Sequence, residues 1–308
     1  MKIETFVLLI CLSVSMVYCG PERKREIVPV PVDLTSYPMV LREVDIPRPV
    51  TLAPPLQALI VTPTPLLPEA SVLESILALY ETNGNCELPC WWGVAPGRTH
   101  ASQVIEQLGP LGHIYITEMS KNSSLYEFTS RVPVDLEPLG WMGARIFVEN
   151  DLVIAVATNS RWVKRLFDHS LPGLLQTFGE PDEIWIKPGI VPYPGLSHFE
   201  MILFYPYQGI MVRISGEASD REGYLRICPQ DVDRDAEASP VLYLWSTREN
   251  FTFERLGISP MREFFYLNSD SFRQLGQLRD GKDNEWFFNT YLDPGTVDCI
   301  DIDTTTYP

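Results

Sequence analysis

Two stretches of the sequence, 70 positions apart, share a pattern that constrains most of what the chain can form. "ASQVIEQLGPLGHIYI" occupies 101–116 and "LPGLLQTFGEPDEIWI" occupies 171–186. In each stretch, apolar residues at helical spacing run into a glycine that ends a helix, and an alternating segment typical of a strand follows. Thr99 and Ser170 stand where the N-cap hydroxyl of each helix is expected.

A pair of strands is predicted after each of these segments. Residues 146–156 alternate around the polar turn Asn150-Asp151, and residues 202–214 alternate around Gln208-Gly209. Alternation on both sides of a short polar or glycine-containing turn is typical of a β-hairpin. The first copy has a longer insert, in which a further strand is expected at 125–132.

These elements predict an α+β fold with two helix-plus-antiparallel-sheet repeats and a C-terminal α/β extension. We place the repeats at 70–157 and 158–216, and the acidic extension at 217–308. Internal similarity at a fixed offset is typical of a duplicated unit. Chance similarity over so short a length is the alternative.

Further elements flank the repeats. Ser71 and Glu74 have the spacing of a capping box at the start of a first helix, and Asn83-Gly84 is expected to end it. In the extension we expect one strand and three short helices, at 242–245, 261–267, 271–278 and 285–291.

The first 69 residues predict export. Residues 1–19 combine an early lysine with a short apolar run, as in a signal peptide, and 20–69 form a proline-rich tether. The segment around Cys19 resembles the lipobox of bacterial lipoproteins, which implies lipidation of Cys19. Tyr18 stands where that family has a small residue, and cleavage nearby without lipidation is the alternative.

Four cysteines remain in the body of the chain, an even number that favours two disulfide bonds in an oxidising compartment. We expect Cys86 to pair with Cys90, and Cys228 with Cys299. Four cysteines allow three pairings, and buried free thiols are the other alternative. The predicted location is therefore extracellular or in the cell envelope.

The acidic composition narrows the classes of partner. The chain has 40 acidic against 24 basic side chains and a formal net charge of −16. Without a basic stripe, we expect neither nucleic acid nor an anionic membrane surface as a partner, apart from a lipid anchor. Carboxylates alternate at 231–237, but the glycine and the final glutamate of a calcium loop are missing, so a solvated acidic loop is favoured.

No motif predicts catalysis or a resident cofactor. The sequence contains no nucleophile elbow, phosphate-binding loop, dinucleotide fingerprint or metalloprotease helix. Its four histidines are scattered, with no spacing typical of metal ligands: His100, His113, His169 and His198. We therefore expect no metal and no cofactor, and favour a protein that is not an enzyme.

The helix stop before a strand, followed by a hairpin, resembles the small α+β unit of outer-membrane assembly lipoproteins of the BamE/SmpA type. In tandem, over about 85–215, it resembles the β-lactamase inhibitory proteins. The resemblance implies a binding scaffold that contacts a protein or envelope partner through a sheet face. The candidate contact residues are sheet aromatics: Trp185, Phe204, Tyr205 and Tyr207.

Three functional hypotheses follow. The first is a non-catalytic binding or interaction protein, favoured by the scaffold and by the absence of a catalytic motif. The second is a secreted hydrolase whose site is assembled from scattered acidic and histidine side chains. The third is an inhibitor of a secreted enzyme, as the second resemblance implies.

Overall fold

The computed structural model describes residues 59–60, 67–131, 141–158, 170–190, 197–221, 224–229, 240–258, 260–278, 282–296 and 298–303. The expected signal peptide, Cys19, most of the tether and the acidic loop at 231–237 lie outside these residues. Within them, no helix is long and apolar enough to cross a membrane.

The described strands form one large antiparallel sheet. Its order is β1-β2-β3-β4-β5-β10-β8-β7-β6-β11, with β9 pairing a further part of β8, and β12 pairing β9. The strands are β1 Leu59–Ile60, β2 His113–Ser120, β3 Ser123–Arg131, β4 Trp141–Glu149, β5 Leu152–Thr158, β6 Glu183–Ile190, β7 Ser197–Tyr205, β8 Ile210–Arg221, β9 Tyr224–Ile227, β10 Val241–Trp245, β11 Arg273–Gln274 and β12 Ile300–Asp303.

Six α-helices accompany the sheet within the described residues, so the expected mixture of helices and antiparallel strands is confirmed. They are α1 Glu69–Thr82, α2 Ala101–Leu108, α3 Leu171–Phe178, α4 Phe253–Leu256, α5 Met261–Phe265 and α6 Asn284–Tyr291. Helices α2 and α3 have eight residues each, as do the strands β2 and β6 that follow them. The 70-position offset of the sequence therefore also relates these four elements.

The helix caps agree only in part with the sequence prediction. Ser170 accepts a hydrogen bond from the backbone N–H of Gly173, as expected. Thr99 is not the N-cap of α2: that position belongs to His100, and the Thr99 hydroxyl instead accepts from the backbone N–H of Ala95 in the preceding turn. The Thr99 hydroxyl bonds within the turn that precedes the helix, and α2 begins one residue later than a cap at Thr99 would require.

Helix α1 begins earlier than the capping box predicted. It starts at Glu69 after Pro68, whose φ of −53° is already suited to a helix, so Ser71 lies inside the helix and does not cap it. Its end is as expected, with Asn83 in the left-handed conformation.

The helix expected at 271–278 was a wrong prediction. Short 3-10 turns at Ser269–Ser271 and Leu275–Gln277 flank strand β11, which pairs with β6. The edge of β6 offers unpaired backbone groups there, and bonding them outweighs a weak local helical preference.

Each face of the sheet has its own apolar core. On the first face, four helices pack against alternate strand residues through Val72, Ile76, Val104, Leu108, Leu174, Leu175 and Phe287. On the second face, the segment that carries α4 and α5 contributes a cluster of aromatic and aliphatic side chains: Phe251, Phe253, Leu256, Phe264, Phe265, Leu267 and Phe272. Burial on both faces explains why β10 is apolar throughout.

Strand β10 joins the two halves of the sheet. Tyr243 pairs with Ala157 of β5 on one side and with Met211 of β8 on the other. The residues we assigned to the C-terminal extension therefore complete the main sheet, and the boundary expected at 216/217 falls inside β8.

Both predicted hairpins are present. β4 and β5 turn at Asn150 and Asp151, which have φ values of 51° and 66°. Positive φ at both turn positions matches the twist of the adjoining strands. β7 and β8 turn through Pro206–Gln208 and Gly209.

Both expected disulfide bonds are present. Cys86 is bonded to Cys90, and Cys228 to Cys299. The second bond ties β12 to the end of β9, next to an ion pair in which Arg226 donates two hydrogen bonds to Asp301, at 2.7 and 2.8 Å. The end of the described chain is therefore held covalently and by charge.

The two disulfides should differ in their contribution to stability. In the chain-entropy model, a crosslink over 71 positions restrains the unfolded chain by about 4 kcal/mol, and one over four positions by about 2 kcal/mol. We expect Cys228→Ser/Cys299→Ser to lower the free energy of unfolding about twice as much as Cys86→Ser/Cys90→Ser, measured by urea denaturation. Equal losses would contradict this entropic account.

The Arg226–Asp301 pair predicts a local dependence on pH. Hydrogen bonds and charge from Arg226 hold the pKa of the Asp301 carboxyl below its ordinary value of 3.8. The pair therefore stabilises the fold above that value, and this contribution is lost as the pH falls through the lowered pKa. Arg226→Gln should return the pKa of Asp301 towards its ordinary value in a carboxyl NMR titration. Arg262→Gln, an exposed change on α5, should leave it unchanged.

Candidate functional site

One corner of the second sheet face is left uncovered by the C-terminal segment. The pairing register places Tyr115 of β2, Glu127 of β3 and Arg145 of β4 side by side, and the same row continues to Ala157 and Tyr243. The C-terminal aromatic cluster packs over the far part of this row, including Ala157 and Tyr243. The near part borders an open groove.

The groove has a volume of about 460 Å³. Its floor is the sheet, and one wall is the chain just after α5. It is lined by Tyr115, Glu127, Phe128, Thr129, Gly143, Ala144, Arg145, Ala157, Thr158, Arg213, Val241, Tyr243 and Tyr266. Small residues at the centre leave room for a ligand, and larger polar and aromatic side chains surround them.

Arg145 connects the floor of the groove to its wall. Its guanidinium donates to the backbone carbonyl of Phe264 at 2.8 Å and to that of Glu263 at 3.4 Å. Its Nε lies 3.4 Å from a carboxylate oxygen of Glu127, and its Cζ lies 4.0 Å from the centre of the Tyr266 ring. The carbonyls, the carboxylate and the ring stabilise the positive charge of the guanidinium. They also fix the position of the wall relative to the sheet.

Two tyrosines present their rings to solvent beside the groove. Tyr115 is 42% exposed and Tyr266 is 63% exposed. Tyr266 ends α5 in the left-handed conformation, with φ of 50°, which is an uncommon conformation for an aromatic residue. The contact with Arg145 holds the Tyr266 ring against the groove wall.

A second ionic group closes the far end of the groove. Arg213 lies 2.8 Å from Glu200 and also bonds the hydroxyl of Tyr243. Burial raises the pKa of the Tyr243 hydroxyl, and the charge and hydrogen bond of Arg213 act in the opposite direction. Because the net shift is upward, Tyr243 stays uncharged at neutral pH.

Each arginine that lines the groove therefore has a carboxylate partner. Arg145 is paired with Glu127, and Arg213 with Glu200, which Lys187 also approaches at 3.7 Å. Such a site can offer hydrogen-bond donors and acceptors without favouring a charged ligand, and its exposed rings can contact an apolar ligand face. Within the described parts of the chain, no three His, Cys, Asp or Glu side chains are grouped so that they could hold a metal ion.

The contact residues predicted from the sequence lie apart from this groove. Tyr205 is fully buried and donates its hydroxyl to the carbonyl of Gly179 at 3.2 Å, so it presents no surface to a partner. Phe204 is also fully buried, on the opposite face of the same strand. The register of β7 thus places both aromatics in a core.

The two other predicted contact residues differ in exposure. Trp185 is partly buried, stacks on Phe253 at 4.2 Å and donates to Glu183 at 2.7 Å. Tyr207, in the turn between β7 and β8, is 83% exposed. It is therefore the one member of the predicted group whose ring is largely accessible.

Neither Tyr115 nor Tyr266 was predicted from the sequence as a contact residue. Alternation along β2 could have indicated Tyr115, because its neighbours Ile114 and Ile116 point to the other face. No comparable signal exists for Tyr266, which reaches the groove only because α5 packs on the sheet. Comparison of the chain with protein-family models, with curated proteins and with solved structures gives no match.

The bridging role of Arg145 can be tested through stability. Arg145→Met keeps the length of the stem and removes the hydrogen bonds to the carbonyls, the ion pair and the ring contact. We expect a loss of about 2 kcal/mol in the free energy of unfolding, since hydrogen bonds from a charged group dominate it. Hydrogen exchange at 261–267 should accelerate, whereas Arg262→Met on the exposed side of α5 should change neither quantity.

Proposed function

We propose that this protein is an exported, non-catalytic binding protein and that its groove holds a neutral, polar ligand between Tyr115 and Tyr266. The observation that carries the proposal is the combination of two exposed rings with internally paired charges. Concave sites with a few fixed polar groups and aromatic walls are the usual form of ligand sites. Oligosaccharides and uncharged peptide segments have this chemistry.

Fixed contacts hold the groove in shape, which supports a ligand-binding role rather than mere exposure of the groove to solvent. Arg145 holds the wall at two carbonyls, and Glu127 holds the guanidinium from the floor. A wall that is already in place loses little conformational freedom when a ligand binds, so more of the contact energy becomes affinity. This preorganisation distinguishes the groove from an incidental gap between the sheet and α5.

Location forms a second part of the proposal. The two disulfide bonds indicate an oxidising compartment. Together with the apolar run in 1–19, they support export, and the lipobox-like segment supports a lipid anchor at Cys19 on an envelope surface. The proline-rich residues from 20 up to strand β1 would then separate the folded body from that surface.

The two-repeat origin is also part of the proposal. It is supported by the equal lengths and the common 70-position offset of α2 with α3 and of β2 with β6. Both helices pack on the same face of the sheet. We infer that the segments 70–157 and 158–216 arose by duplication.

Tyr207 favours a second candidate function. Its largely exposed ring lies at the tip of a hairpin, and a projecting aromatic side chain is typical of an anchor in a protein–protein contact. An inhibitor of a secreted enzyme would use such a contact, away from the groove. The two candidates therefore assign the binding energy to different tyrosines.

Matched tyrosine variants separate these functions. A panel of neutral oligosaccharides and uncharged ten-residue peptides is screened by ligand-observed NMR, with Tyr115→Ala, Tyr266→Ala and Tyr207→Ala beside the unaltered protein. We expect a ligand that binds the unaltered protein and Tyr207→Ala equally, and loses about 1–2 kcal/mol of affinity on each groove change.

Three results would count against the groove. Equal binding by all variants would place the ligand elsewhere. Stoichiometric inhibition of a secreted hydrolase, lost only in Tyr207→Ala, would favour the inhibitor. Turnover of any panel member by the unaltered protein would contradict the non-catalytic assignment.

A further inference from the structure

We propose that a second cavity, between the Cys86–Cys90 loop and the turn after β10, binds a small anion through Arg98 and Arg248. The anion would be one that presents carboxylate or phosphate oxygens. This site is separate from the tyrosine groove and does not depend on the function proposed for it. The two cavities share no lining residue.

The cavity has a volume of about 420 Å³ and is formed by three short loops. One is the disulfide loop, the second precedes α2, and the third follows β10. They contribute Cys86, Glu87, Leu88, Pro89, Cys90, Ala95, Pro96, Arg98, Ser246, Thr247 and Arg248. Two arginines on different loops therefore border one open cavity.

Gly97 packs closely against the side chain of Ser246, and this contact brings the two arginine-bearing loops together. Gly97 has a φ of 75°, and a Cβ atom at this position would lie 2.6 Å from the hydroxyl oxygen of Ser246. The backbone N–H of Gly97 donates to the carbonyl of Val153 at 2.7 Å, which anchors the same turn to β5. Arg98 follows Gly97 and Arg248 lies two residues after Ser246, so this packing places the backbone of both arginines beside the same cavity.

The disulfide loop is a preformed wall. The side-chain amide of Asn83 donates to the carbonyls of Cys86 and Cys90, each at 2.9 Å, and its oxygen accepts from the N–H of Trp92. Trp91 and Trp92 are stacked with ring centres 5.3 Å apart, and both are buried. The disulfide bond, the hydrogen bonds of Asn83 and the two buried tryptophans therefore hold this wall in place without a ligand.

The charge pattern favours an anion. Arg145, Arg213 and Arg226 each pair with a carboxylate. By contrast, the guanidinium groups of Arg98 and Arg248 make no ion pair or hydrogen bond to other residues that the structure describes, and both side chains are exposed.

Arg98 and Arg248 thus place two unpaired cations beside one cavity on a chain of net charge −16. Like charges on the same cavity repel, and an anion between them would relieve that repulsion. Planar guanidinium groups match the oxygens of carboxylates and phosphates. Glu87 also borders the cavity, so the local charge is +1, which suits a small anion better than a highly charged one.

The test is isothermal titration calorimetry at an ionic strength of about 20 mM, where exposed charges are weakly screened. Inorganic phosphate and succinate are the two probes, and they distinguish a phosphate ligand from a carboxylate ligand. We expect saturable 1:1 binding of one or both by the unaltered protein. Arg98→Gln and Arg248→Gln should each weaken it about fivefold, the upper range for an exposed ion pair.

Two control variants test whether the loss of anion binding is specific to the cavity. Arg262→Gln removes the same charge from an exposed position outside the cavity and should retain full affinity. Tyr115→Ala should also retain it, which separates this site from the groove. Absence of saturable binding of both anions, or an equal loss in Arg262→Gln, would overturn the proposal. Circular dichroism establishes that each variant is folded.

Discussion

Pairing of β10 on both of its edges is the constraint on which the rest of the structure depends. Without it, β5 and β8 would each end a small sheet with exposed backbone groups, a costly and aggregation-prone arrangement. With it, β2–β5 and β6–β8 become one sheet, and the aromatic segment after β10 is placed over the second face. The position of β10 therefore determines where the wall of the tyrosine groove lies. It also determines the position of the turn at 246–248, which carries Arg248.

The sequence predicted those parts of the fold that are determined locally. Helices that end at glycine and hairpins that turn at Asn150-Asp151 or at Gly209 depend on interactions within a few residues, and periodicity reports such interactions well. The disulfide pairs followed from cysteine number and position. The capping predictions failed at Ser71 and Thr99 because a preceding proline and a neighbouring turn competed for the same positions.

The two proposed sites were not predictable in the same way. The groove combines Tyr115 and Arg145 with Tyr266, and the second cavity combines Arg98 with Arg248; each set comes together only through long-range packing. The sequence did indicate aromatic side chains on a sheet, but not which face would be covered. Tyr205 was predicted to be a contact residue because it lies on a strand. Helices cover that face of the strand, so its side chain is buried.

The place of β10 in the chain also has a consequence for synthesis. A chain that emerges from its amino end exposes β2–β5 and then β6–β8 well before the strand that unites them. Until that strand arrives, two bare strand edges face the surroundings, and pairing with another copy competes with correct closure. The sheet is therefore most open to pairing with another copy during synthesis, before residue 241 and the rest of β10 have emerged.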